Sequence, residues 1–432
     1  IREFQTLQKL LRKTDSKIKM FFFYQLLLSA VILISPLIIF IRIIKGKEDV
    51  IRFKEKFCLI SKKRLPGKVI WFHGSSVGEI MSVIPIINKY DKENTFNQIL
   101  VTSSTVSSSK IIEKYNFKKV VHQFLPIDHI FFSNFFLNYW KPDFAIFLES
   151  EIWPSMYRSI KKNDIPLVLL NARITKKTFK RWLKLKKFSL KVFGQISIAH
   201  PQNKETVVYL KKLGVKKIEY IGNLKFFEDK KISLSGVNSE IQNQFRKNKI
   251  CIAASTHGNE EVFAGQTHIL LKKKIKNLIT IIIPRHIHRV KEIENELKKL
   301  NLKTTCHSSK IKDLRNIDIY IVDTFGDSKQ FYKIATTVFL GGSLVNKGGQ
   351  NPLEPARYGA KILHGPNVDN FREVYDFLKS LKISKEISSP KQFSKEIVFK
   401  KRMENVRKIQ KLGNIIFKNT LIKLGKTMNY EI

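Results

Sequence analysis

Short apolar runs recur along this chain, each with helical spacing behind it, and the series starts twice. The first set is VIWF at 69–72, a run at 99–102, FAIFL at 144–148, PLVLL at 166–170 and a run at 196–199. The second is ICIAA at 250–254, LITIII at 278–283, IYIV at 319–322 and VFL at 338–340. Runs this short, apolar at successive positions, are strands buried on both faces. Helical patterns at 79–90, 260–274, 289–300 and 371–381 separate them. Strand–helix alternation requires crossovers, so the fold class is α/β with parallel sheets. A chain of 432 residues holds two such units. The expected layout is a basic segment and anchor at 1–48, a Rossmann-like domain at 49–229, a polar linker at 230–249, a second Rossmann-like domain at 250–389 across a cleft from the first, and a helical Lys-rich tail at 390–432.

One stretch breaks the pattern. Residues 21–41, FFFYQLLLSAVILISPLIIFI, carry no charge. At about 1.5 Å per residue this is enough helix for a hydrocarbon core of about 30 Å. Arg12, Lys13, Lys17 and Lys19 precede it, and Arg42, Lys45, Lys47, Arg52, Lys54 and Lys56 follow. The denser cluster behind it favours a cytoplasmic catalytic portion. Pro36 and the two basic flanks equally permit a helix lying in one leaflet. The formal net charge of +43 suits anionic lipid or phosphorylated substrates. No zinc-finger, RNA-recognition or basic-zipper signature points to nucleic acid. Cys58, Cys251 and Cys306 are too far apart in sequence for a zinc or redox motif and read as buried, reduced thiols.

In open parallel sheets, ligands gather at the carboxyl ends of strands, and the unusual residues fall there. His73-Gly74-Ser75-Ser76-Val77-Gly78-Glu79 follows the first run. Glu79 opens a helix, where a carboxylate serves either as a general base or simply as favourable charge at a helix start. Glu149-Ser150-Glu151-Ile152-Trp153-Pro154 follows the third run, Asn171-Ala172-Arg173 the fourth, and Gly222-Asn223-Leu224-Lys225 closes the half. Glu149 and Glu151 can orient an acceptor or pair with a cation, and Lys225 can meet a phosphate or a sugar carboxylate. In the second half, Ala254-Ser255-Thr256-His257 precedes Glu260 and Glu261, and Pro284-Arg285-His286 follows LITIII. An Arg at a strand end suits bidentate binding of phosphate or carboxylate. Asp323-Thr324-Phe325-Gly326-Asp327 follows IYIV, and Gly348-Gly349-Gln350-Asn351-Pro352-Leu353-Glu354 runs into a helix start. Such a start offers backbone N–H groups to a nucleotide phosphate, with Glu354 placed for ribose hydroxyls. His257, His286 and His288 form no convincing metal-ligand spacing.

In this order, HGSSVGE, LESEIWP, NAR, GNLKF, ASTH with EE, PRH, DTFGD, FLGGSLV, GGQNPLEPA and GPNVDNFRE resemble the Kdo (3-deoxy-D-manno-octulosonic acid) transferases of lipopolysaccharide synthesis. The resemblance runs from the apolar segment to about residue 373. It implies a glycosyltransferase-B fold at the cytoplasmic face of the inner membrane. It further implies an inverting, metal-independent transfer of Kdo from CMP-Kdo to a lipid A precursor, lipid IVA, with no cofactor. The amino-terminal half would hold the lipid and the carboxyl-terminal half CMP-Kdo. By the same resemblance, Glu79 is the base, and Glu149 and Lys225 stabilise the transition state. Pro284, Arg285, Phe325, Gly326, Asp327, Asn351, Pro352, Leu353 and Glu354 bind the donor, while Ser76, Glu151 and Arg173 are supporting residues. The sequence departs from the family at Asp327, usually Glu, at Gln350, often His, and at His286-Ile287-His288, usually His-Pro-Glu. Competing readings are a UDP-sugar transferase of the same fold, a sugar-nucleotide epimerase, and a noncatalytic basic membrane-binding protein.

Overall fold

A computed structural model describes residues 2–228, 243–309 and 313–428, with side chains from residue 20 onward. The chain divides into two compact units. The first is Ile1–Asp229 with Asn414–Ile432, and the second is Lys230–Gly413. Most of the expected linker at 230–249 lies outside the described residues, as do the side chains of the basic flank at 12–19. The helix of the carboxyl-terminal tail, Met403–Met428, has residues in both units.

Unit one carries six strands: β1 (Val69–His73), β2 (Gln98–Ser103), β3 (Val120–Phe124), β4 (Phe144–Leu148), β5 (Leu167–Ala172) and β6 (Ile198–Pro201). They form one sheet in the order β3-β2-β1-β4-β5-β6, with every pairing parallel. β1, β2, β4, β5 and β6 are buried at every position, which explains their unbroken apolar character. Aromatic side chains fill the space under the sheet. Trp71 meets Phe147 edge-on, with centroids 5.0 Å apart, and Phe147 meets Tyr157 likewise at 5.2 Å. The strand order reverses at β1 and β4, so the loops after these two strands flank a crevice at their carboxyl ends. The loop after β1 leads into the helix start that carries Glu79, and the loop after β4 carries Glu149.

Unit two carries β7 (Lys249–Thr256), β8 (Leu278–Pro284), β9 (Thr304–Cys306), β10 (Ile319–Ile321), β11 (Thr337–Leu340), β12 (Lys361–His364) and β13 (Ser384–Glu386). Their order is β13-β12-β11-β7-β8-β10-β9, again parallel throughout. β7 is the central strand, and the chain crosses from its β8 side to its β11 side. Pro284 and Arg285 end β8, and the glycine loop follows β11.

Sequence patterning misses β3, β9, β12 and β13. Three of these have only three or four residues, and β3 reads VVHQF because His122 and Gln123 are buried polar positions. The helix expected behind the GGQNPLE loop shrinks to one turn, Leu353–Ala356, with Pro355 inside it. The three thiols are free, with Cys58 and Cys251 buried and Cys306 half-buried. A helix covers Arg2–Ile44, and its part Met20–Ile44 is long and apolar enough to cross a membrane.

Candidate active site

The site in unit one is built on the ends of β1 and β4. Gly74 follows β1 at a point of close approach: a Cβ there would lie 2.9 Å from Leu148 Cδ1 and 3.2 Å from Glu79 Cβ. The missing side chain thus lets the Glu79 turn settle against β4. Ser76 caps the helix Val77–Lys92 and accepts from the Glu79 N–H at 3.3 Å. Glu79 Oε2 reaches back to the N–H groups of Ser75 (2.6 Å) and Ser76 (3.1 Å), completing a capping box. Both bonds engage one oxygen, which leaves Oε1 to take up a proton. Glu79 therefore does both things its position permits: it anchors a helix start and presents a carboxyl at a strand end. Burial, then the negative charges of Glu151 and Glu149, push its pKa up to about 7.

Glu151 is the opposite case. Burial opposes its charge, but His73, Ser75 and Trp153 hydrogen bond to it, and the net effect holds it below the usual range. His73 Nε2 is 3.1 Å from Glu151 Oε2, Ser75 Oγ donates at 2.6 Å and Trp153 Nε1 at 2.9 Å. An ionised carboxylate only accepts, so His73 Nε2 donates to Glu151, and Nδ1 lies 2.9 Å from the Thr102 hydroxyl. Ser75 thus gives its backbone N–H to Glu79 and its hydroxyl to Glu151. Two nearby carboxyls are driven apart in pKa, the arrangement that separates a proton-accepting group from a permanently charged one.

Glu149 adopts a left-handed backbone, φ 49°, which turns its side chain back across the end of the sheet. Such a conformation at a non-glycine residue costs about 1 kcal/mol or more and concentrates at functional sites. Its Oε1 forms an ion pair with Lys225 Nζ, while its carbonyl accepts from the Arg173 N–H at 3.1 Å. Asn171 holds the Lys225 segment by accepting from the Leu224 N–H at 3.0 Å. From the other side, Phe417 of the carboxyl-terminal helix stacks on Phe227 at 4.1 Å. Unit one therefore brings together Glu79, Glu149, Glu151, Ser76, Arg173 and Lys225. Sequence reasoning quoted His73 and Asn171 within strand-end motifs without giving either a role, and left out Phe417.

In unit two the backbone is organised by Glu260. Its carboxylate accepts from Gly342 (2.7 Å), Ser343 (3.1 Å), Leu344 (3.0 Å) and His257 (2.9 Å). Gly341 admits it, since a Cβ there would lie 2.7 Å from Glu260 Oε2. Around this fixed frame the side chains are open. Arg285 is exposed and Phe325 is 95% exposed, beside Gly326 at φ 98°. His257, His286 and His288 lie in a row, the first pair edge-to-face and the second tilted, with centroids 5.6 and 5.5 Å apart. Burial, then the positive charges of His286, Lys347 and Arg285, outweigh Glu260 and hold the His257 pKa down. Among the described residues no group of three or more His, Cys, Asp or Glu is placed to hold a metal ion. Asp327 accepts from Thr324 Oγ1 at 2.5 Å and Gln330 Nε2 at 3.1 Å, so it shapes its own loop. Asn351 accepts from the Leu353 N–H at 3.1 Å, Leu353 and Pro352 are buried, and Glu354 is half-buried. With a single-turn helix behind it, the glycine loop lacks the extended dipole expected for phosphate. The positive charge of this region comes from side chains instead.

Residues 51–228 match the family described as 3-Deoxy-D-manno-octulosonic-acid transferase (kdotransferase). The chain is 35% identical over 341 residues to the 3-deoxy-D-manno-octulosonic acid transferase of Rickettsia bellii, covering 78% of this chain and 80% of that one. It is 34% identical to the probable mitochondrial enzyme of that name from Arabidopsis thaliana, with 81% of each covered. Among solved structures, UDP-GlcNAc 2-epimerase from Neisseria meningitidis, bound to UDP-GlcNAc, superposes with a TM-score of 0.54 at 13% identity, covering 82% of this chain and 100% of that one. That likeness is one of fold, a glycosyltransferase-B-like pair of parallel sheets. With the sequence relatives covered over most of their length, the chain belongs to the 3-deoxy-D-manno-octulosonic acid transferase family and is a Kdo glycosyltransferase.

Proposed function

We propose that this enzyme transfers Kdo from CMP-Kdo to a glucosamine hydroxyl of a lipid A precursor, with inversion and without a metal ion. The observation that carries the reading is Glu79: a buried strand-end carboxyl with one oxygen unengaged and a pKa near 7. A base of that pKa takes a hydroxyl proton and still releases it near neutrality. As CMP departs, the sugar carbon gains oxocarbenium character. The acceptor oxygen attacks from the opposite face while Glu79 takes its proton. Glu149 and Lys225 supply fixed charge for the transition state, and Arg285 supplies positive charge for the phosphate and the Kdo carboxylate, with the neutral imidazole of His257 beside it as a hydrogen-bonding group. Inversion follows from a single displacement. The strongly basic chain suits a phosphorylated acceptor on an anionic inner-membrane surface facing the cytoplasm.

The test is a transfer assay in detergent with a tetraacylated lipid A precursor and CMP-Kdo generated in the tube, read by mass spectrometry. The expected result is a mass gain of one or more Kdo units that Glu79→Gln abolishes. Product from UDP-sugars, with none from CMP-Kdo, overturns the donor assignment.

A further inference from the structure

The apolar stretch Met20–Ile44, with mean hydropathy 2.7, has two unlike faces. Tyr24, Leu28, Ile32, Ser35, Ile39 and Arg42 follow one another in steps of three or four and are buried or half-buried, Ser35 and Ile39 down to 5% and 6% exposure. That spacing is one side of a helix. Phe22, Leu26, Leu33, Leu37, Phe40 and Ile44 lie on the opposite side, 57% to 83% exposed, and Phe23, Leu27, Ile34 and Ile41 flank it at 43% to 59%. The polar residues keep to the covered side. Tyr24 donates to Asp128 Oδ2 at 2.7 Å. Gln25 donates to Ser155 Oγ at 2.8 Å and accepts from the Ile130 N–H at 3.0 Å. Ser29 Oγ is 3.4 Å from His129 Nε2. Pro36 has no N–H for the Ile32 carbonyl, and Ser35 Oγ donates to that oxygen at 2.7 Å.

The covered side runs from Tyr24 to Arg42, about 27 Å of helix, close to the full thickness of a hydrocarbon core. An upright helix would carry the protein packed along that side into hydrocarbon. Unit one would then reach from one headgroup layer to the other, with Asp128 bonded to Tyr24 at one end and Glu48 bonded to Arg42 at the other. Polar protein surface carried through hydrocarbon costs several kcal/mol per charge. We infer that this helix lies flat in one leaflet of an anionic bilayer, as an in-plane anchor whose exposed apolar side sits among acyl chains and whose two flanks stay on the same side of the membrane. Phe131 and Phe135, 65% and 51% exposed and one turn apart on the helix that begins at Ile130, extend the embedded surface. The exposed Lys45, Lys47 and Lys54 just beyond the anchor meet anionic headgroups.

The inference stands apart from the transferase reading, and its test uses neither donor nor acceptor. In the full chain with Cys306→Ser, single cysteines at Leu27, Ile34 and Ile41 are labelled with a fluorophore, the buried Cys58 and Cys251 staying silent. The protein is bound to vesicles of phosphatidylethanolamine and phosphatidylglycerol, and depth is read by lipids brominated at different acyl positions. The expected result is one shared depth. A progressive change approaching about 21 Å, the rise of fourteen helical residues, overturns the inference, as does failure to bind the vesicles. Unsubstituted protein tagged at both ends gives the second readout. Both tags are expected to be digested from the same side of sealed membranes, and protection of the amino-terminal tag alone overturns the proposal.

Discussion

The strand ends of the two units are built in opposite ways. In unit one the chemistry-bearing side chains are buried and hydrogen-bonded or ion-paired, with Glu79 and Glu149 at 9% and 6% exposure. In unit two the buried carboxylate, Glu260 at 1%, spends itself on four backbone N–H groups, and the outward residues Arg285 and Phe325 stand in solvent. Unit one thus has a preorganised set of charges, as proton transfer needs. Unit two has a rigid frame bearing free side chains, as grasping a sugar nucleotide needs. Substitutions in the first should act on turnover, and those in the second on stability or donor affinity according to depth.

The sharpest division comes from Glu79→Gln, expected to lower kcat about 10²- to 10⁴-fold with the circular dichroism unchanged. In the wild type, kcat/KM should rise with pH and level off above about 7, as Glu79 loses its proton. The same residue should weaken the fold. Its pKa rises from 4.5 to about 7 on folding, so the folded state holds the proton longer and stability is lost as pH climbs through that window. Glu79→Gln should therefore be more stable than wild type at pH 8, by about 1–3 kcal/mol, and no different at pH 4. Equal stability at pH 8 would break the account of Glu79 as a strained base.

Glu260→Ala should cost about 3 kcal/mol in urea unfolding, because buried N–H groups lose a charged acceptor. Lys225→Ala should reduce kcat about 10- to 100-fold by leaving Glu149 without its cation. If KM alone moves, Lys225 belongs with the binding side chains. Arg285→Ala should raise donor KM about tenfold with unchanged unfolding, the worth of one exposed charge-assisted contact. Phe325→Ala, at 95% exposure, should leave the unfolding midpoint where it is and raise donor KM only about two- to fivefold.

The sheets were legible because their central strands are buried on both faces and so are written as unbroken apolar runs. The short edge strands β9 and β13 cover little and are polar, TTC and SKE, so nothing in them distinguishes strand from loop. At the strand ends, glycines and carboxylates marked the turns that the fold builds around Glu79, Glu149 and Glu260, but not what each group does there. Glu260 and Glu79 both sit in a helix's first turn. Only packing shows that Glu260 is consumed by the Gly342–Leu344 turn while Glu79 keeps an oxygen in reserve. The pairing of His73 with Glu151 spans 78 residues and depends on β1 lying beside β4, which local spacing does not encode.

Asp128 links matters that look separate. One carboxylate accepts the Tyr24 hydroxyl and the N–H groups of Ser155 and Met156, at the start of the helix that follows Glu151 and Trp153. Any pull on the amino-terminal helix is therefore felt one short lever arm away from the turn that holds Glu151. A protein shortened to remove this helix would lose the Tyr24 hydroxyl from Asp128. It would slacken the turn that keeps Trp153 and Glu151 in register, and its turnover would understate that of the whole enzyme.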